Sequence, residues 1–329
     1  MNFSITNAPF AHRLIVANNF GNYFGGESVL KAVLGSEFEC VAINNDAAPI
    51  EMGLDQILAS CMQVADYIQS LPAVKQTFKP PQNRTVGGVE HEVYPLEIQQ
   101  ALIFKNPKEE GYLLCLSKVN EYWQMHDEKL SRLDLDEETL PPLAWPLTAE
   151  DAAQVSAFFG VQIKPIPADN LTDSAKKAQQ LIMKVILATA VNQTEAIKAF
   201  VAPGLNGRLV TFCKDEIEEV SYASSSEFAD ILGTYASKNI DVKEFAFGFE
   251  ASETNGEETT LKLKYKVVNL IRENDQILER TVSGIEQWTY DAQQGVLTAV
   301  NILNKTILDQ EYVKKETAQP LTSRSCVLL

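Results

Sequence analysis

Histidine is scarce: His12, His91 and His126 are the three in 329 residues, and all lie in the first half of the chain. Imidazole-based chemistry therefore cannot recur along the sequence. Basic residues are also in deficit, 28 Lys and Arg against 44 Asp and Glu for a net charge of -16. A phosphate backbone would be repelled by that balance unless a local basic patch intervened, so a nucleic-acid partner is not expected. The five cysteines, Cys40, Cys61, Cys115, Cys213 and Cys326, show no close pairing and no metal-ligand spacing. Their odd number leaves one unpaired in any disulfide scheme, which fits a reducing compartment. No H-E-x-x-H, C-x-x-C, Walker loop or nucleophile elbow occurs, and we expect neither metal nor cofactor. The start, "MNFSITNAPFAHRLIVANNFGNYFGG", lacks the charge, apolar run and cleavage pattern of a secretory signal. The most apolar long segment, "LIMKVILATAV" at 181–191, contains Lys184 and is too short to cross a bilayer, so a soluble cytoplasmic protein is expected. The glycines of "NNFGNYFGGES" do not hold a dinucleotide-loop spacing and read as a flexible turn.

What is present is periodicity, and it occurs twice. In "GLDQILASCMQVADYI", Leu54, Ile57, Leu58, Cys61, Ala65 and Ile68 recur at three- and four-residue steps, one stripe of an amphipathic helix. In "SSSEFADILGTYASK" the same steps join Phe228, Ile231, Leu232 and Tyr235, with Ser224 and Glu227 at capping-box spacing. A helix and a strand precede each ("ESVLKAVL" then "EFECVAINN"; "AKKAQQLIMKVILATAVNQTEAIKAFV" then "RLVTFCKD"), and long strands follow each. In "TLKLKYKV", Leu261, Leu263, Tyr265 and Val267 face one way and Lys262, Lys264 and Lys266 the other, a sheet with one wet face. Helices followed by runs of antiparallel strands argue for an α+β class. The chain divides into 1–137, a linker at 138–173 containing Pro and a short helix at "TAEDAAQVSAFF", 174–308, and a flexible tail at 309–329. The segment "KPPQNRTVGGVEHEVYP" reads as an irregular insertion in the first copy.

Both copies end on an aromatic strand, a polar turn and a last strand, "YWQMHDEKLSRLDL" and "WTYDAQQGVLTAV". With the helix–strand–helix–long-strand order, these endings resemble the nuclear transport factor 2-like (NTF2-like) superfamily, particularly its SnoaL-like and ketosteroid-isomerase-like branches. The resemblance covers most of both halves. It implies two cone-shaped domains, each a strongly curved antiparallel sheet wrapped around helices, with an apolar cavity at the wide end. Because relatives often dimerise through outer sheet faces, it also implies an intramolecular pseudo-dimer.

Chemistry in such a cone needs polar residues aimed inward. Glu121 and Trp123, and Glu286 and Trp288, are two residues apart and so share a strand face. A carboxyl beside an indole in an apolar pocket can have a raised pKa and serve as a base, so these four residues and Tyr290 are the candidate pocket. The bland alternative, carboxylates on an outer face and tryptophans that only pack, carries more weight. His126-Asp127 falls at an expected hairpin turn and reads as a solvent-facing pair, not a catalytic one. No catalytic residue is assigned. The sequence favours a non-catalytic binding or adaptor protein that takes a hydrophobic small molecule or a protein partner. An isomerase, cyclase or dehydratase using a pocket carboxylate is the alternative. The terminal Cys326-Val327-Leu328-Leu329 matches a prenylation box and would give peripheral membrane contact through Cys326.

Overall fold

The structure is a computed structural model and describes residues 7–24, 26–45, 47–86, 88–159, 166–190, 193–213, 216–273 and 276–311. The prenylation box and Cys326 lie outside them. The chain opens with helices α1 (Asn7–Phe24) and α2 (Glu27–Val33), strands β1 (Leu34–Asn44) and β2 (Ile50–Gly53), and helix α3 (Leu54–Tyr67). Strands β3 (Ile68–Phe78), β4 (Gln82–Val86), β5 (Val89–Lys105), β6 (Tyr112–His126), β7 (Lys129–Thr139) and β8 (Leu143–Trp145) follow, then α4 (Ala149–Phe159) and α5 (Asp173–Ala190). The remainder runs β9 (Val201–Cys213), β10 (Glu216–Tyr222), α6 (Ser225–Lys238), β11 (Asn239–Asn255), β12 (Glu258–Glu273), β13 (Gln276–Asp291) and β14 (Val296–Glu311).

These elements make an α+β fold with one large curved sheet. Its order is β10-β9-β14-β13-β12-β11-β3-β5-β6-β7-β1-β2, with β4 on β5 and β8 on β6. Outward from the central β3–β11 pairing, each arm has three antiparallel neighbours, then a parallel pairing, then a short antiparallel edge strand. The parallel pairs are β7 with β1 and β14 with β9, a departure from a plain antiparallel meander. Each arrives because a helix-bearing crossover brings an early strand back beside the last one.

At the seam Glu244 pairs with Thr77 and Phe247 with Val74. Gly248 lies beside it, where an added Cβ would stand 2.2 Å from the carbonyl oxygen of Pro72. Aromatic rings close the inner side: Phe20 of α1 sits 5.6 Å from Phe245 and 6.1 Å from Phe247. Buried apolar side chains form one continuous cluster from Phe38 and Trp123 in the first arm to Phe228 and Trp288 in the second, instead of two separate cores.

Two local readings change. The glycine-rich "NNFGNYFGG" is not a turn where it meets Gly21, which lies within α1; a Cβ there would be 2.8 Å from Leu30, so the missing side chain lets α2 pack closely. Much of the insertion is regular: β4 pairs antiparallel with the start of β5, Gln82 opposite Val93 and Arg84 opposite His91. The linker carries its short helix as α4 and packs on the first arm: β8 joins β6, and Trp145, Val155, Ile166 and Leu171 bury Ala101, Ile103, Leu114 and Leu116 in a second cluster. The two arms meet along the edges of β3 and β11.

Candidate functional site

Strand alternation aims one face of the second arm at a cavity of about 220 Å³. Leu263, Tyr265, Val267 and Asn269 of β12 line it, as do Val282, Glu286 and Trp288 of β13. Ile231, Leu232 and Tyr235 of α6 face them, so the stripe that makes α6 amphipathic is also the cavity wall. The start of α6 is fixed by Ser224, whose side chain accepts from the Glu227 N–H, while the Glu227 carboxylate accepts from the Ala223 N–H at 2.7 Å. The α1 residues Arg13, Val16 and Phe20 complete the enclosure across the seam. At that end Asp241 is buried and accepts from the buried His12 at 2.7 Å.

The two Glu-x-Trp pairs have the same geometry. The Trp123 indole N–H donates to Glu121 at 2.7 Å, and the Trp288 indole N–H donates to Glu286 at 2.9 Å. Burial pushes each carboxyl up to about 7; the indole donation offsets only part of this in both, aided at Glu286 by the charge of Lys305. Burial, and then the Glu286 charge, push the Tyr222 and Tyr265 hydroxyls up as well, so both are neutral hydrogen-bond donors at physiological pH.

The surroundings of the two pairs differ. Glu286 and Trp288 line the apolar cavity, whereas Glu121 borders a separate recess with Lys79, Pro95 and Asn120. Trp123 packs in the core 6.2 Å from Phe38. Tyr290 is buried and pairs with Thr259, away from the cavity wall. His126 and Asp127 stand exposed at the β6–β7 turn, where Asp127 and Glu128 have positive φ as a tight hairpin requires.

Sequence reasoning missed Lys305. Strict alternation from Ile302 points it outward, but a bulge in the β14–β9 register between Ile302 and Lys305 turns it in. Lys305 is 7% exposed, lies on the cavity wall, and holds its Nζ 3.5 Å from the Tyr235 ring centroid.

Cys40, Cys61 and Cys115 are free, and burial pushes Cys40 up to about 12 and Cys61 to about 11, far from a reactive thiolate. Among the described residues no His, Cys, Asp and Glu cluster is placed to hold a metal ion, and no helix is long and apolar enough to cross a membrane.

No family model matches the chain, and no curated protein matches it in sequence. Solved structures similar to it include an LEH-like epoxide hydrolase from M. tuberculosis, 16% identical over 40% of this chain and 84% of that one, with a TM-score of 0.27. An NTF2-like protein of unknown function from Silicibacter pomeroyi DSS-3 is 11% identical over 41% of this chain and 98% of that one, with a TM-score of 0.25. A candidate SnoaL-like polyketide cyclase from Shewanella denitrificans OS-217 is 16% identical over 40% and 90%, with a TM-score of 0.25.

Proposed function

We propose that the chain is a tandem of two NTF2-like units, 1–137 and 174–308, paired edge to edge as an intramolecular pseudo-dimer, and that the second unit binds a small hydrophobic molecule. The observation that carries this reading is the largely apolar cavity with the buried carboxyl of Glu286 set into its wall, apart from Asp241, which His12 engages at one end. Cavities of this kind, apolar walls with a few convergent polar groups, are where small molecules bind. At about 220 Å³ it lies below the range typical of drug-sized ligands, so the ligand is compact. The first unit, its interior packed by Trp123 and Phe38, acts as scaffold and wall.

Benzyl alcohol or cyclohexanone should bind the wild-type chain in a calorimetric titration. Val282→Phe, which fills the cavity, should weaken binding about ten-fold or more, equivalent to about 1.4 kcal/mol. An unchanged affinity would place the ligand elsewhere. A second reading, proton transfer on the bound molecule, is favoured by the Glu286 carboxyl raised to about 7 alongside the neutral donor Tyr265 on the same cavity wall. In deuterated buffer it requires α-proton exchange of bound cyclohexanone that disappears in Glu286→Gln.

Lipidation at Cys326 would add reversible membrane contact, since one prenyl chain anchors only marginally. The check is the intact mass of protein made in a prenylating cell, where a free thiol at Cys326 removes this element.

A further inference from the structure

Lysine is almost never fully buried without a partner, because an ammonium leaving water loses several kcal/mol of solvation. Lys305 is buried, and its amine faces the cavity that holds Glu286, with the Tyr235 ring against it. The two groups are electrostatically coupled. Removal from water disfavours the ammonium form of a lysine, as it disfavours a carboxylate. Amines desolvated in this way are nucleophiles toward carbonyl carbon.

We propose that Lys305 captures a compact hydrophobic aldehyde or ketone as an imine inside this cavity. The proposal deepens the ligand-binding reading and rests on it. The Nζ lone pair adds to the carbonyl carbon, and the carbonyl π pair moves to oxygen, which takes up a proton. The resulting carbinolamine loses its hydroxyl as water when the Glu286 acid protonates it. The remaining N–H proton returns to the Glu286 carboxylate, leaving C=N. One carbonyl compound and one amine give one imine and one water, with no oxidant or reductant. The apolar wall supplies the hydrocarbon contact, and Glu286 is the proton carrier.

The experiment uses the whole chain with substoichiometric benzaldehyde and sodium cyanoborohydride, which fixes an imine as a stable benzyl amine, followed by peptide mapping. Lys305 should be labelled ahead of the outward-facing Lys264 and Lys266. Lys305→Arg, which keeps the positive charge, should abolish that label while surface lysines react as before. Glu286→Gln should slow capture at Lys305 about a hundred-fold, the contribution of a positioned acid–base group. Label spread over surface lysines with Lys305 unmodified overturns the proposal, and wild-type mapping alone decides this even if a variant fails to fold. Benzyl alcohol separates the two levels. If it binds and Lys305 stays unlabelled, capture is wrong and the cavity reading stands; if it does not bind, both fall.

Discussion

Exchanging the buried glutamates for glutamine, in Glu121→Gln and Glu286→Gln, is expected to make the folded chain markedly more stable above pH 7 and no more stable near pH 4. Each carboxyl is raised by burial from an ordinary 4.5 to about 7. Between those values the native chain keeps protons that the unfolded chain has released, so wild-type stability falls as pH rises through this window. Above the native pKa the full cost is present, about 3 kcal/mol per site at 1.36 kcal/mol per pKa unit. Below 4.5 both states are protonated and the cost vanishes. Glutamine carries no charge and still offers an oxygen to the indole N–H of Trp123 or Trp288. The two gains should be similar, because both carboxyls are raised to about 7 with the charges of Glu137 and Lys305 already in force. Urea midpoints of wild type and single variants from pH 4 to 8.5 check this. Parallel curves would show that neither carboxyl carries a burial cost.

The second large effect belongs to the seam. In Gly248→Ala the new methyl would lie 2.2 Å from the Pro72 carbonyl oxygen, and a backbone atom inside a sheet cannot swing aside as a side-chain tip can. Overpacking of this kind costs about 1–3 kcal/mol, and here the strain falls on the β3–β11 pairing. Thermal unfolding should move to lower temperature, and amide exchange should accelerate at Val74–Thr77 and Glu244–Phe247. Gly204→Ala is the control, because a Cβ at Gly204 meets nothing within 4 Å. If the two variants behave alike, close approach at Gly248 does not hold the arms together.

Features with a local period were legible in the sequence. The stripes of α3 and α6, the Ser224 cap and the β12 alternation of Leu261 and Leu263 against Lys264 and Lys266 follow from spacing alone, because each element has one wet face and one dry one. The same two-residue period placed each carboxyl beside its tryptophan. Helix α1 carried no such signal: His12, Ile15, Asn18, Asn19 and Phe20 are all buried, and a helix enclosed on every side has no polar face to set a period. Lys305 was hidden by a bulge, which resets alternation without changing composition. The seam and the linker's cover of β5 and β6 were hidden because nonlocal pairing leaves no short-range trace. Composition could not separate Glu286, on the wall of the apolar cavity, from Glu121, beside a separate recess, since their local sequences are equivalent.

Phe20 and Glu286, which face the same hollow, stand 266 residues apart in the chain (286 - 20). During synthesis the roof of that hollow emerges long before its floor, and no occupant can be enclosed until β13 and β14 have left the ribosome. A molecule that settles there therefore acts at the end of folding, favouring chains that have reached β14 over those released early.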